Sequence, residues 1–312
     1  MSGRTRTSRG AEAPHVWAWL DPGRASLREL RAFAAAAERA AVDAVLIADH
    51  DDGTAGDALD PTAVLGALAP DTRSIGLVAA VPPGERQPYH VARAVASLDH
   101  ITHGRVGWYA SDGGADRRTE EFVRVVRGLW DSFDDDAFVY DRSSGRCFDA
   151  AKLRALNHRG EHFRVAGPLN IARPPQGHPV VVQDDGPLAG GTADVVLVGP
   201  VADLESARAR YRAVKECAAV HGRDPEQVRV LVTIDVPSPG ATVDSLELWF
   251  QRRAADGFLL RFPGTAGDAL AGLTHAAEGL LPGLCRRGSL PDDTVPTDLR
   301  GRLGLPPLPL CG

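Results

Sequence analysis

Short β-branched runs alternate along this chain with alanine-rich stretches whose apolar residues recur at helical spacing, and no other feature restricts the fold as much. Eight runs read as strands: 15–20, 42–49, 74–81, 105–111, 178–184, 193–199, 228–236 and 257–262. Several, VDAVLIAD and ADVVLVG above all, are nearly continuous apolar segments, as strands buried on both faces must be. Strands separated by helices argue for a parallel sheet with helical crossovers, and eight such units predict a (β/α)8 TIM barrel. Its active site is then expected on the face where the strands end.

The intervening helices carry matching signals. Ser26 is placed to cap LRELRAFAAAAERAA, with Leu30, Phe33, Ala34, Ala37 and Ala41 on one face. Asp60-Pro61 opens another helix with proline at its first position. Val91, Val95, Leu98 and Ile101 form one expected core face, and Phe122, Val125, Val126, Leu129 and Trp130 a second. The alternation breaks twice. Residues 134–177 form a long excursion rich in Arg, Gly and Pro, which suggests a small hairpin. Only DGPLAGGT separates the fifth and sixth strands, less than the ~10–12 residues of a full crossover, so the fifth helix is expected to be stunted or absent.

Residues 15–312 are read as one domain, because barrels of this length form single units. Residues 1–14 are polar and Arg-rich with no apolar h-region, and are read as a disordered tail rather than a secretory signal. The net charge of −6 disfavours nucleic acid, whose phosphates need a basic surface. No apolar run approaches the ~20 residues of a membrane span. Cys147, Cys217, Cys285 and Cys311 are widely spread with no CxxC pair, which points to free thiols and a reducing cytoplasm.

Two clusters invite a metal reading. His158, Glu161 and His162 match H-x-x-E-H, but Gly160 lies inside and no helical pattern surrounds it, so the segment is read as a polar loop. Asp49-His50-Asp51-Asp52 follows the second strand and is read as solvated loop acids. No metal site is expected. Glycine-rich dinucleotide loops, Walker loops and the G-x-S-x-G elbow are absent from the sequence.

Three stretches, PYHVARAVASLDHITHGRVGW, the segment 120–183, and WFQRRAADGF with GLCRRGSLPDDTVPTDLRGRLGLP, resemble the bacterial luciferase-like flavin monooxygenases. The similar branch contains the nitrilotriacetate and dibenzothiophene-sulfone monooxygenases and pristinamycin synthase. The resemblance runs from about residue 30 to 306, with gaps, and independently implies a luciferase-like (β/α)8 barrel. It also implies reduced FMN, supplied by a separate NAD(P)H:flavin reductase, used with oxygen on a small organic substrate. Pairing as a homodimer or heterodimer is implied as well. The family's long insertion between the seventh and eighth strands is reduced here to room for one helix.

Carried over by position, the resemblance puts Asp49, Ala80, Tyr109, Asp116, Gln183, Asp184, Asp185 and Gly186 around the flavin. Asp49 keeps the family's acid near the ring. Ala80 stands where the family usually has Thr, and Tyr109 where it has Asn. Asp116 replaces a Tyr of the phosphate region, and at Asp184-Asp185-Gly186-Pro187 the family has a small residue and then a Gly-Ser-Ser loop opening a helix, with Gly186 and Pro187 at the serine positions. Asp49, Tyr109 and Gln183 are expected to face a common cavity. A helix N-terminus binds phosphate through free amides and its dipole. Carboxylates in their place repel a dianion by several kcal/mol at ~4 Å and an effective dielectric of about 20. Arg117 and Arg118 are the nearby counter-charges. Three functions therefore stand open: an FMNH2-dependent monooxygenase with an eroded phosphate site, a non-catalytic partner barrel that has lost flavin, or another reaction on the same scaffold that uses Asp49, His50 and Tyr109 without flavin.

Overall fold

Eight parallel strands close into a barrel in a computed structural model that describes residues 13–23, 25–49, 59–84, 86–110, 116–237, 241–285 and 298–309. In chain order the elements are β1 (His15–Leu20), α1 (Leu27–Arg39), β2 (Ala44–Ile47), α2 (Pro61–Leu68), β3 (Gly76–Ala80), α3 (Pro88–Thr102), β4 (Val106–Tyr109) and α4 (Arg117–Trp130). Two small hairpins follow, β5 (Phe138–Asp141) with β6 (Arg146–Phe148), and β7 (His158–Arg159) with β8 (Arg164–Val165). The barrel resumes with β9 (Val180–Asp184), α5 (Ala189–Thr192), β10 (Val195–Val198), α6 (Leu204–Val220), β11 (Arg229–Asp235), α7 (Val243–Gln251), β12 (Gly257–Arg261) and α8 (Ala266–Glu278). The short α9 (Leu280–Cys285) and α10 (Leu299–Arg302) complete the described chain. The strand order β1-β12-β11-β10-β9-β4-β3-β2 brings β1 and β2 together and closes the ring.

All eight expected barrel strands are present, their ends within two residues of the sequence reading. Ser26 forms a capping box with Glu29, and Asp60 caps α2 through the Thr62 and Ala63 amides. The fifth helix is indeed stunted, at four residues. Ile101 departs from the expected core face: it is 57% exposed, and Thr102 turns inward instead, its hydroxyl bonded to the Leu98 carbonyl. Ala41 also leaves its face, standing exposed after α1 with φ 57°. Among the described residues, no helix is long and apolar enough to cross a membrane, and Cys147 and Cys217 are free thiols. Residues 1–12, His50, Asp51, Asp52 and Cys311 lie outside the described residues.

Alternation along the strands sorts the core into two layers. Val45, Ile47, Val181, Val196, Val230 and Phe258 pack outward against the helices. Trp17, Leu46, Val78, Val180, Val182, Leu197, Leu231 and Leu259 fill the lumen. Leu299, Leu303 and Leu305 of the C-terminal segment join this inner cluster.

The H-x-x-E-H segment is a hairpin docked on α4, not a helix. His158 Nε2 lies 2.8 Å from Glu121 Oε1, and the amides of Phe163 and His162 donate to the same carboxylate at 2.9 and 3.0 Å. Gly160 allows that approach, because a Cβ there would collide with Glu121 Oε1. Burial opposes ionisation of Glu121, but these hydrogen bonds outweigh it and hold the carboxyl at about 2. The contribution is therefore full above the ordinary value of 4.5 and fades as pH falls toward 2. Glu121→Gln is expected to cost about 1–3 kcal/mol at neutral pH, and less at acid pH, in chemical denaturation. An equal cost at pH 3 and pH 7 would show that the charge is irrelevant.

Candidate active site

The same alternation that builds the lumen decides which residues reach its mouth. Trp19 follows Trp17 on β1, Ala80 follows Val78 on β3, and Asp184 follows Val182 on β9. Arg261 follows Leu259 on β12, and Asp235 lies four residues beyond Leu231 on β11. Tyr109 ends β4 and packs on the inner cluster beside Trp19. In register, Trp19 pairs with Arg261, Arg261 with Asp235, and Ala80 with Tyr109. These side chains line the lumen at the C-terminal ends of the strands, where barrel active sites form.

Their polar tips are bound to one another. Tyr109 donates its hydroxyl to Asp184 at 2.7 Å, and its ring meets Trp19 edge-on at 6.1 Å. Arg261 holds Asp235 in two hydrogen bonds, 2.5 and 3.0 Å, and this donation keeps the Asp235 carboxyl below its usual range. Asp49, just past β2, lies 3.4 Å from Arg86, which also reaches Asp60 at 3.7 Å. Tyr109 thus stands at the mouth with Ala80 and Asp184, whereas Asp49, past the end of β2, has the parity of Val45 and Ile47.

Gln183 does not join them. It has the parity of Val181, so it faces the helical layer, is 1% exposed, and bonds Thr192 of α5 and the Ala110 carbonyl. The expectation that it faces the common cavity fails because one residue of register turns a strand side chain to the opposite face. Trp19, Arg86, Asp235 and Arg261 were missed from sequence. For Trp19, Asp235 and Arg261 the signal was parity with the apolar lumen residues, legible only once the inner face of each strand is fixed; Arg86, in the loop before α3, carried no such signal.

The corner where the resemblance puts a phosphate has a donor set unsuited to a dianion. Asp116 is the N-cap of α4, accepting from the Thr119 amide at 2.7 Å, so the helix end already has its anion. That hydrogen bond lowers the Asp116 carboxyl from its ordinary value. Arg118 stacks 5.1 Å from the centre of the Phe163 ring, and Arg117 lines an outer groove with Glu120, Glu121 and Glu161. After β9, the Asp185 amide donates to the Leu197 carbonyl, the Ala189 amide to Gly186, and the Gly191 amide to Leu188. Pro187 has no amide hydrogen, and its carbonyl accepts from Cys217. The Asp185 carboxylate pairs with Arg210 at 3.3 Å. α5 is pinned to α6 at Gly190, where a Cβ would come within 2.6 Å of the Val214 carbonyl oxygen.

A family model described as luciferase-like monooxygenase matches residues 12–239. The B polypeptide of the pristinamycin IIA synthase of Streptomyces pristinaespiralis is 41% identical, over 94% of this chain and 95% of that protein. The A polypeptide of the same synthase is 35% identical, over 70% of this chain and 57% of its own length. Component A of the nitrilotriacetate monooxygenase of Aminobacter aminovorans is 42% identical over 55% of this chain, which spans 43% of that protein. Among solved structures, a long-chain alkane monooxygenase superposes with a TM-score of 0.81 at 17% identity, covering 95% of this chain and 96% of that one. At that identity the likeness supports the barrel alone.

Proposed function

The chain belongs to the luciferase-like monooxygenase family, and on that premise we propose that it serves FMNH2-dependent oxygenation of a small organic substrate as a partner barrel, beside a homologous chain that carries the flavin. An NAD(P)H:flavin reductase would supply the reduced FMN. The carrying observation is the phosphate corner, where the α4 N-terminus is capped by Asp116 and the Asp185, Ala189 and Gly191 amides serve internal bonds. The barrel is otherwise intact, with all eight strands. Supporting this reading, both polypeptides of one synthase are similar to the chain, and the likeness spans nearly all of the B polypeptide. The second reading, a self-sufficient FMNH2-dependent monooxygenase, is favoured by the family and by the acid kept at Asp49, just past β2.

FMN titration of the purified chain separates the two. The partner reading expects a dissociation constant weaker than about 100 μM, roughly 5.5 kcal/mol of binding. Binding in the low micromolar range would restore the self-sufficient reading. In light scattering the chain is expected to pair with itself or with a longer luciferase-like barrel from the same organism, since two-fold pairs are the commonest assemblies. A clean monomer at high concentration in both mixtures would sink the pairing.

A further inference from the structure

We infer that the barrel mouth is locked at a second level: its own side chains fill the layer that an isoalloxazine ring would enter, so the chain excludes the ring as well as the phosphate. This rests on the partner-barrel reading and deepens it. The phosphate argument concerns the loop after β9 and the start of α4. The lock concerns the ends of β1, β4, β9, β11 and β12, a separate set of residues.

The mouth is filled by large side chains. An eight-stranded barrel has an interior just wide enough for side chains. Trp19, Tyr109, Asp184, Asp235 and Arg261 all reach its upper layers from the lumen side. Only Ala80 is small, and it is 4% exposed beneath its neighbours. The layer is also closed chemically. Arg261 and Asp235 are joined by two hydrogen bonds, and the Tyr109 hydroxyl donates one to Asp184. A flat heterocycle entering between Trp19 and Tyr109 would have to displace their edge-on contact and part the Tyr109–Asp184 bond. Parting it would cost the partly buried Asp184 carboxylate the hydrogen bond from its phenol. Asp49 at the rim is held by Arg86, so it too has a partner within this chain.

The resemblance gives the counter-pattern, a small Asn at position 109 and a small residue at position 184. The two substitutions here are complementary, because the phenol at one position is the donor for the carboxylate at the other. Together they tie β4 to β9 across the mouth.

Riboflavin has the ring without the phosphate, so titrating riboflavin and FMN side by side into the full-length chain tests the lock apart from the corner. Wild type is expected to quench neither ligand's fluorescence through binding up to the solubility limit of riboflavin. Asp185→Gly with Gly186→Ser and Pro187→Ser reopens only the phosphate corner and is expected to remain without either ligand. Tyr109→Asn with Asp184→Ala opens the ring layer and is expected to bind riboflavin at least about tenfold more tightly than wild type. Micromolar riboflavin binding by wild type would overturn the lock and leave the phosphate argument standing. Micromolar FMN binding without riboflavin binding would overturn both. Recovery of FMN binding by the loop substitutions alone would also overturn the lock, as would a folded Tyr109→Asn/Asp184→Ala chain that still ignores riboflavin. The wild-type titration decides the point even if a variant does not fold.

Discussion

Asp194→Ala is expected to lower stability by about 3–5 kcal/mol, because it removes the one carboxylate that holds three guanidinium groups together. Asp194 is 3% exposed, at the foot of β10. Its Oδ2 accepts from Arg127 and Arg300, each at 3.0 Å, and from the Val181 amide at 3.0 Å, while Oδ1 accepts from Arg223 at 3.3 Å. One side chain thus ties α4, β9, the turn after α6 and the C-terminal segment. Burial opposes its ionisation, but the charges of Arg127, Arg300 and Arg223 outweigh that and hold the carboxyl well below the usual range. Removing it leaves positive groups facing one another in a region where Arg300 and Asp194 have almost no solvent. By ordinary scaling for a chain of this length the melting temperature should fall by about 5–8 °C. The pH dependence adds a signature. A depressed carboxyl contributes fully above its unfolded value, here 3.8, and loses that contribution as pH falls through the folded one. The gap between wild type and Asp194→Asn should therefore be wide at pH 7 and narrow progressively below pH ~4. A loss under about 1 kcal/mol, the range of exposed ion pairs, would mean that the arginines find other partners.

The strands were legible because burial on both faces leaves its mark on composition: AVLI in β2 and VVLV in β10 have no polar member. Caps were legible at Ser26 and Asp60 because their signals are local. The mouth was legible only in part. Tyr109 and Asp184 stood out by resemblance, but nothing in the sequence said that they bond across β4 and β9, which are 75 residues apart. Gln183 was assigned to the cavity by the resemblance, and strand parity turns it to the helical layer. Asp116 looked like a charge set against a phosphate; locally it is an N-cap, a role that Asp fills readily before any helix. Ile101 followed the helical period to the last turn of α3, where the chain swings away at His103 in the left-handed region and the core no longer lies beneath it. In each case the missing information was tertiary register, which short-range periodicity does not carry.

The C-terminal segment was recognisable only as a likeness, yet its removal is expected to have the largest effect of any change considered. Leu299, Leu303 and Leu305 are essentially fully buried and belong to the lumen cluster with Trp17, Val78 and Leu231. They enter from the end opposite the mouth: the Leu299 amide donates to the Gly104 carbonyl before β4, and Arg300 reaches the His178 carbonyl before β9. Arg229, at the start of β11, donates to the carbonyls of Leu303 and Gly304 at 2.6 and 3.1 Å. Deleting residues 298–312 empties three leucine sites, each costing about 2–5 kcal/mol by the large-to-small rule. It also strands the buried Arg229 side chain and takes Arg300 from Asp194. The sum reaches or exceeds the roughly 5–15 kcal/mol that holds an ordinary domain together, so the truncated chain should not fold. Circular dichroism and solubility check this directly; a soluble truncated chain with wild-type ellipticity and cooperative melting would refute it. Leu303→Ala is the graded test, expected to cost about 2–5 kcal/mol while leaving the mouth pairs in place. The floor also bears on function. Trp17 stands on these leucines, and Trp19, two residues further along β1, meets Tyr109 in the locked layer. Loosening the floor by Leu303→Ala should therefore disturb the indole environment before it affects any helix, visible as a red-shifted tryptophan emission at constant far-ultraviolet ellipticity.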